Sequence, residues 1–363
     1  IEIFLSSSCL VHIWPQTWQR EAGPMAHLRQ QLDLGEEEEE DFEDGPPEED
    51  QFGRNAYLQQ CTEMGIVPVS QILKFLETEE MHITHYGLGL KGNSALVCAL
   101  QLNQSITVLR LTHNNIPDDG IRALAECLAG NKAVVELDLS GNKIGVSGSK
   151  ALAALISLRS CIIQTLTLSH MHFGDKDAVP LANALQTNEV LKSLDLSNNN
   201  LGERAATALG KSLVINNSLQ ELNLSWNKLL ARGAVALAEG LRPNTSLQVL
   251  SMAWCGAGNP GALALGLTLA TNQSLVDVNV CGNGIHVEGA LGLSKGLAIS
   301  VSLAAVALDN NDIRDEGAKA LLQAVQTNPG LVVVRLDNTN TSAEVRGAIE
   351  VVLTPRLASQ RAH

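Results

Sequence analysis

The sequence predicts an α/β solenoid, an open horseshoe of about ten 28-residue strand–helix rows with a parallel sheet on its concave face and helices on its convex face. Three observations carry this. Residues 106–116, 133–144, 190–201, 218–229, 274–285 and 302–313 align when the chain is written in rows of 28. Each row reads L-x-x-L-x-L-x-x-N-x-L, the apolar alternation of a short strand. An A-L-x-x-x-L pattern with helical spacing follows it, and recurrence of such a unit at a fixed period marks a solenoid.

The first element is an acidic N-terminal segment over residues 1–54, expected to be disordered. Residues 1–50 hold 14 acids and two bases, a net −12 of the −14 carried by all 363 residues. The run GEEEEEDFEDGPPEED at 35–50 is too charged and too poor in apolar side chains to build a core. It reads either as a solubilising tail or as a segment that meets a basic surface. Residues 1–24 lack a basic leader, a cleavage motif and the length of a membrane span, and they precede Met25; they are read as lying outside the native fold.

Residues 55–77 are expected to cap the first row, since end rows of a stack expose their core. A helix starting near Pro68 brings Ile66, Val69, Ile72, Leu73 and Leu76 to that task. Rows then fill residues 78–344, one of them 29 residues long between Leu139 and Leu168. In a representative row, Ile106, Leu109, Leu111 and Ile116 point inward, and Val108, Arg110 and Thr112 point out. Asp118, Asp119 and Gly120 turn the chain into a helix that sets Ile121, Leu124 and Leu128 against the sheet. Asn131 is expected to end that helix in the left-handed conformation. Residues 345–363 form the C-terminal cap and tail, with Val345, Ile349, Val352 and Leu353 on a helix that stops before Pro355.

The row pattern, repeated over residues 78–353, resembles the leucine-rich repeat, and the 28-residue row with a full helix resembles its ribonuclease-inhibitor type. The stretches AYLQQCTEMGIVPVSQIL (56–73), HYGLGLKGNSAL (85–96), LNLSWNKL (222–229) and GAVALAEGL (233–241) are similar to the leucine-rich repeat-containing protein 74 group. That group has no settled biochemical activity, and the expected function, a non-catalytic scaffold or adaptor that binds a protein partner, comes instead from the concave face and the tryptophan-bearing rim. Repeats of this type also occur in nuclease inhibitors and activators of small GTPases, so the alternative implied is a regulator of an enzyme.

The asparagine column Asn114, Asn142, Asn199, Asn227, Asn283 and Asn311 reads as structural, because a buried Asn bonds the free backbone groups of adjacent turns. Met171 and Cys255 replace it, and their turns are expected to be the least regular. The columns that face outward from the strands place Glu136, Asp138, Asp195, Glu221 and Asp277, with Asn223, in the middle of the concave face. That sign opposes nucleic acid and suits a protein partner with a basic surface. Trp226 and Trp254 occupy the position just before the asparagines, on the rim, in adjacent rows. Two readings fit them: mutual packing over an uneven turn, or a contact hot spot.

Other motifs carry less. LGKS at 209–212 lacks the first glycine of a phosphate loop. His82, His85 and His113 could converge on a metal but serve equally as exposed polar residues. No row sets a nucleophile beside a base and an acid, so neither an enzyme nor a cofactor, metal or small-molecule site is expected. The seven cysteines show no paired framework and read as reduced thiols in a cytoplasmic chain. The sequons at Asn244 and Asn272 arise from the repeat itself.

Overall fold

The computed structural model describes residues 50–361. The expectations for the acidic run up to Glu49, and for the stretch 1–24, lie outside the described residues. Residues 50–54, which the sequence assigned to the acidic segment, are structured. The Asp50 carboxylate accepts the Ala56 N–H at 2.9 Å, and Phe52 packs against the core.

Within the unit Glu49–His363, ten strands form one parallel sheet in chain order. They are β1 (Glu80–His82), β2 (Val108–Arg110), β3 (Glu136–Asp138), β4 (Thr165–Thr167), β5 (Ser193–Asp195), β6 (Glu221–Asn223), β7 (Val249–Ser251), β8 (Asp277–Asn279), β9 (Ala305–Ala307) and β10 (Val333–Arg335). Partners lie 28 residues apart except where β3 meets β4, Glu136 against Thr165. The strand centres from Met81 to Val306 are buried, whereas Val334 of β10 is half-buried.

Helices alternate with the strands. The chain opens with α1 (Arg54–Met64) and α2 (Ser70–Phe75), then α3 (Gly89–Leu102), α4 (Asp118–Gly130), α5 (Val146–Ser157) and α6 (Asp175–Ala184). It continues with α7 (Glu203–Leu213), α8 (Leu230–Leu241), α9 (Gly258–Leu269), α10 (Val287–Ile299), α11 (Arg314–Thr327) and α12 (Ala343–Arg361). Ile121, Leu124 and Leu128 are buried on the sheet side of α4. Because helices are wider than strands, this arrangement curves with the sheet inside. Pro68 lies two residues ahead of α2, whose cap is Val69. Ile72 and Leu76 are fully buried, with Ile66, Val69 and Leu73 packed beside them. No helix among the described residues is long and apolar enough to cross a membrane.

Two ladders of asparagine tie the rows together. In the first, Asn142 Nδ2 donates to Leu111 O at 2.8 Å and Leu139 O at 2.7 Å, while its Oδ1 accepts the Asn114 and Ile116 N–H groups at 3.0 Å. Asn114, Asn199, Asn227, Asn283 and Asn311 repeat this pattern in whole or part. Cys255 keeps one rung with its thiol, 3.1 Å from Leu224 O. The turn that follows it carries left-handed Gly256 and Gly258, whereas the Met171 turn repeats the left-handed positions of the row at His113 and Asn115. Gly87 and Gly89 repeat those two positions in the first row, and Leu230 and Arg314 are left-handed at the position of Gly258, so neither replacement makes its turn the least regular.

The second ladder corrects the expectation for Asn131. Its backbone is extended, with φ −70° and ψ 139°, and its side chain does the work instead. Nδ2 donates to Leu100 O and Asn103 O at 3.0 Å, and Oδ1 accepts from Ala133 at 2.8 Å and Val134 at 3.0 Å. Asn103, Asn188, Asn216, Asn244, Asn272 and Asn328 do the same. Asn244 and Asn272 are thus buried rungs, closed to glycosylation in the folded chain.

A further correction concerns Pro355, which α12 passes through rather than stopping before. Arg356 explains the continuation. It stands one row beyond Asn328, and its guanidinium donates to Val325 O at 2.9 Å and to Asn328 O and Leu331 O at 2.8 Å. Those bonds hold the end of the helix despite the donor that proline removes.

Asp312 gathers Arg314 Nη2 at 2.8 Å and Asn340 Nδ2 at 2.8 Å, and these bonds hold its carboxyl well below the usual carboxylate range. A folded-state pKa below the unfolded value stabilises the fold above about pH 4 and loses that contribution as pH falls. Asp312→Asn is therefore expected to lower stability near neutrality and to converge with the unaltered chain as pH falls, flattening the acid limb of stability against pH, as urea unfolding at successive pH values would show.

Candidate functional site

Each row leaves its strand through one left-handed residue. His85, His113, Gly141, His170, Asn198, Trp226, Trp254, Gly282, Asn310 and Asn338 all have φ between 54° and 70°. Gly, Asn and His suit this conformation, whereas a bulky residue there pays about 1–2 kcal/mol. The two tryptophans are the exceptions in the column. The sequence contained a signal for this conformation, the recurrence of Gly, Asn and His at one position.

The left-handed turn lays each aromatic side chain over the next row. Trp226 stacks on Trp254 with ring centroids 5.0 Å apart and planes at 16°. Trp254 in turn covers Gly282, where a Cβ would overlap its ring. His85 and His113 form a second stack, 4.5 Å apart, that ends on Gly141 in the same way. Despite stacking, Trp226 stays 55% exposed and Trp254 42%. An offset pair adds about 0.5–1.5 kcal/mol, which is no more than the strain of its backbone.

The structure sorts the acidic columns into two kinds. Asp138 accepts the Ser140 N–H at 2.9 Å and its hydroxyl at 2.6 Å. Asp195 accepts the Ser197 N–H at 2.7 Å and Asn223 Nδ2 at 3.0 Å. Asn223 likewise takes the Ser225 N–H at 3.1 Å, and Asn279 takes that of Cys281 at 3.1 Å. These residues cap their own strand exits, the local role short polar side chains favour. Glu136 is paired with Arg110 at 3.2 Å.

Glu221 and Asp277 are exposed, in the rows on either side of Val249. Among the described residues Glu221 meets only the Ser193 hydroxyl, at 3.1 Å. Partial desolvation on the sheet face pushes the Asp277 carboxyl up, against the opposing pull of Arg335. Val249 is 37% exposed, an apolar contribution the sequence reading overlooked. The open part of the surface is thus Trp226, Trp254 and Val249, with Glu221 in the row of Trp226 and Asp277 in the row after Trp254. Its three rows are consecutive.

His82 pairs with Glu80 at 2.9 Å, away from the His85–His113 stack. No group of three metal-ligating side chains occurs among the described residues. LGKS lies late in α7. The six described cysteines are unpaired, and burial pushes the Cys127 and Cys255 thiols up to about 11. A thiol so protonated is a poor nucleophile. Both are expected to resist iodoacetamide in the folded chain at neutral pH and to react on unfolding, as mass spectrometry of labelled peptides would show.

The fold is a leucine-rich repeat solenoid. Residues 102–125, 130–153, 187–210, 216–238, 244–266 and 301–322 match the Leucine Rich repeat family model. The rows of β1, β4, β8 and β10 fall outside these matches but continue the same sheet. Among solved structures, the chain is similar to Leiomodin-1 Actin-Binding Site 2, at 18% identity and TM-score 0.39 over 44% of this chain and 91% of that one. It is also similar to the tropomodulin C-terminal domain of Caenorhabditis elegans, at 18% identity and TM-score 0.38 over 44% and 96%.

Proposed function

We propose that this chain is a non-catalytic scaffold or adaptor that holds a protein partner across its concave strands and tryptophan shelf, with basic side chains of the partner facing Glu221 and Asp277. The observation that carries this reading is the pair Trp226 and Trp254, stacked yet exposed in a backbone conformation that favours Asn or Gly. Large exposed aromatics are uncommon on free surfaces and enriched at contact hot spots. Glu221 in the Trp226 row and Asp277 in the row after Trp254 supply the charge a basic segment would seek, and the same sign argues against nucleic acid.

In this reading residues 55–77 and 345–363 serve as caps, and the unpaired thiols suit the cytoplasm. The resemblance to the leucine-rich repeat-containing protein 74 group belongs to the same reading. The regulator of an enzyme rests on the type of repeat alone, and no described residue adds to it.

The test is quantitative capture of partners from cell lysate by the full chain, by Trp226→Asn/Trp254→Asn and by Glu221→Gln/Asp277→Asn. Partners held by the unaltered chain and lost from the tryptophan variant support the shelf as the docking site. Identical capture by all three would refute it.

A further inference from the structure

The helices on the convex side do not all face solvent in the same way. Residues 28 apart stand at one height on neighbouring helices, and those at i, i+3 and i+7 share a face of their own helix. On α4 the outward set is Asp119, Arg122 and Glu126, the solvated face expected of a surface helix. On α9 it is Pro260, Leu263 and Leu267, and that helix carries no charged side chain. Leu263 is 50% exposed and Leu267 54%. Leu263 leans over Gly292 of α10, where a Cβ would overlap its side chain. Val235 and Leu291, half-buried at the same height on α8 and α10, carry the apolar surface to both sides. Contiguous exposed apolar surface of this kind marks an interaction site.

The charges around it identify the occupant. At the height of Pro260, Arg232 stands on α8 and Glu288 on α10. At the height of Leu267 the signs reverse, with Glu239 on α8 and Lys295 on α10. All four are exposed, and none is in an ion pair among the described residues. The corners of the apolar patch thus alternate in sign, and a partner of one charge would be repelled at two of them. The same face turned over matches all four. A two-fold axis along α9 sets α8 of one copy against α10 of the other, so Arg232 meets Glu288, Val235 meets Leu291 and Glu239 meets Lys295. A two-fold axis across α9 sets Arg232 against Glu239 and Glu288 against Lys295. Either way every corner finds the opposite charge. Because the helical side is convex, the contact falls on these three helices.

We propose that the outer face of α8, α9 and α10 is a self-association surface, on which a second copy of this chain is seated about a two-fold axis with leucines at the centre and opposite charges at the corners. Such a contact is isologous, so one surface serves both copies. It lies on the helix side of the sheet, away from Glu221, Val249 and Asp277, and leaves the concave strands of both copies open.

Sedimentation equilibrium of the full chain tests this, with thermal melts confirming that each variant is folded. The unaltered chain is expected to form a dimer in a concentration-dependent way. Leu263→Gln/Leu267→Gln changes only exposed side chains and is expected to weaken association at least about tenfold, since it removes the apolar centre. Arg232→Glu/Lys295→Glu makes all four corners acidic, and Glu239→Arg/Glu288→Arg makes them all basic. Each is expected to weaken association by a similar factor, because like charges then face each other. An equimolar mixture of these two charge variants restores opposite signs at every corner, so a heterodimer should form. A monomeric unaltered chain overturns the proposal, whatever else covers the leucines. So does a dimer indifferent to the leucine variant, or a pair of charge variants that stay apart when mixed.

Discussion

Replacing Asn142 by Ala is expected to lower the unfolding free energy by about 3–5 kcal/mol, the sum of two or more buried groups left unpaired at about 1–3 kcal/mol each. Its amide closes four bonds at once, to Leu111 O and Leu139 O and from the Asn114 and Ile116 N–H groups. Alanine leaves the two N–H groups without an acceptor in a place water does not reach. Cys255→Ala supplies the contrast. That residue's ladder contribution is a thiol bond to Leu224 O and a weaker one to Ala253 O, so its loss should cost about 1–2 kcal/mol. Urea midpoints of the two variants measured side by side test the ordering.

Gly296→Val is expected to cost about 3 kcal/mol or more, from overpacking at a site where the obstacle is backbone. A Cβ at Gly296 overlaps the Gly266 carbonyl, so α10 and α9 touch main chain to main chain. The same approach recurs where Gly240 of α8 meets the Gly210 carbonyl of α7. A carbonyl fixed in a helix cannot swing aside as a side chain could, so the two helices must separate and the neighbouring rows must follow. Gly347→Ala is the control. It lies within α12 with nothing inside 4 Å of the added carbon, and there the better helix former should add up to about 1 kcal/mol. Thermal melts of the pair should move in opposite directions.

These sites show which parts of the molecule were legible. The solenoid, its register and its 29-residue row follow from the spacing of leucines, because a one-face burial pattern leaves few alternatives. The first asparagine ladder was equally plain, since a polar residue recurring amid leucines must find partners. The second ladder was visible as recurring Asn but misjudged. Its asparagines act through side chains on an extended backbone, and sequence position alone does not separate that from a left-handed cap. Arg356 was hidden for another reason: it performs the task of Asn from the same register with a different side chain, and Pro355 argued for a helix end just before it.

The concave face was half legible. The columns were read correctly, but the acids at 138 and 195 are spent in part on their own turns, which depends on a bend that the strand pattern does not specify. What remained open, Glu221 and Asp277 around Val249 with the two tryptophans, required the exposures of individual atoms. Trp226 and Trp254 stood out in the sequence as scarce residues in a polar column. That the column is left-handed came from the structure, and it turns an unusual choice of residue into one that costs the fold.

The most direct measurement of the central claim is therefore the stability of Trp226→Asn/Trp254→Asn by equilibrium unfolding. Asn fits the left-handed turn that Trp strains by about 1–2 kcal/mol at each site, while the stack it removes adds about 0.5–1.5 kcal/mol beyond the area it covers. If the pair is kept for contact with a partner, the double variant should unfold within about 1 kcal/mol of the unaltered chain. A loss above about 3 kcal/mol would mean that the tryptophans hold the rows together, and the claim that they form a docking shelf would be contradicted.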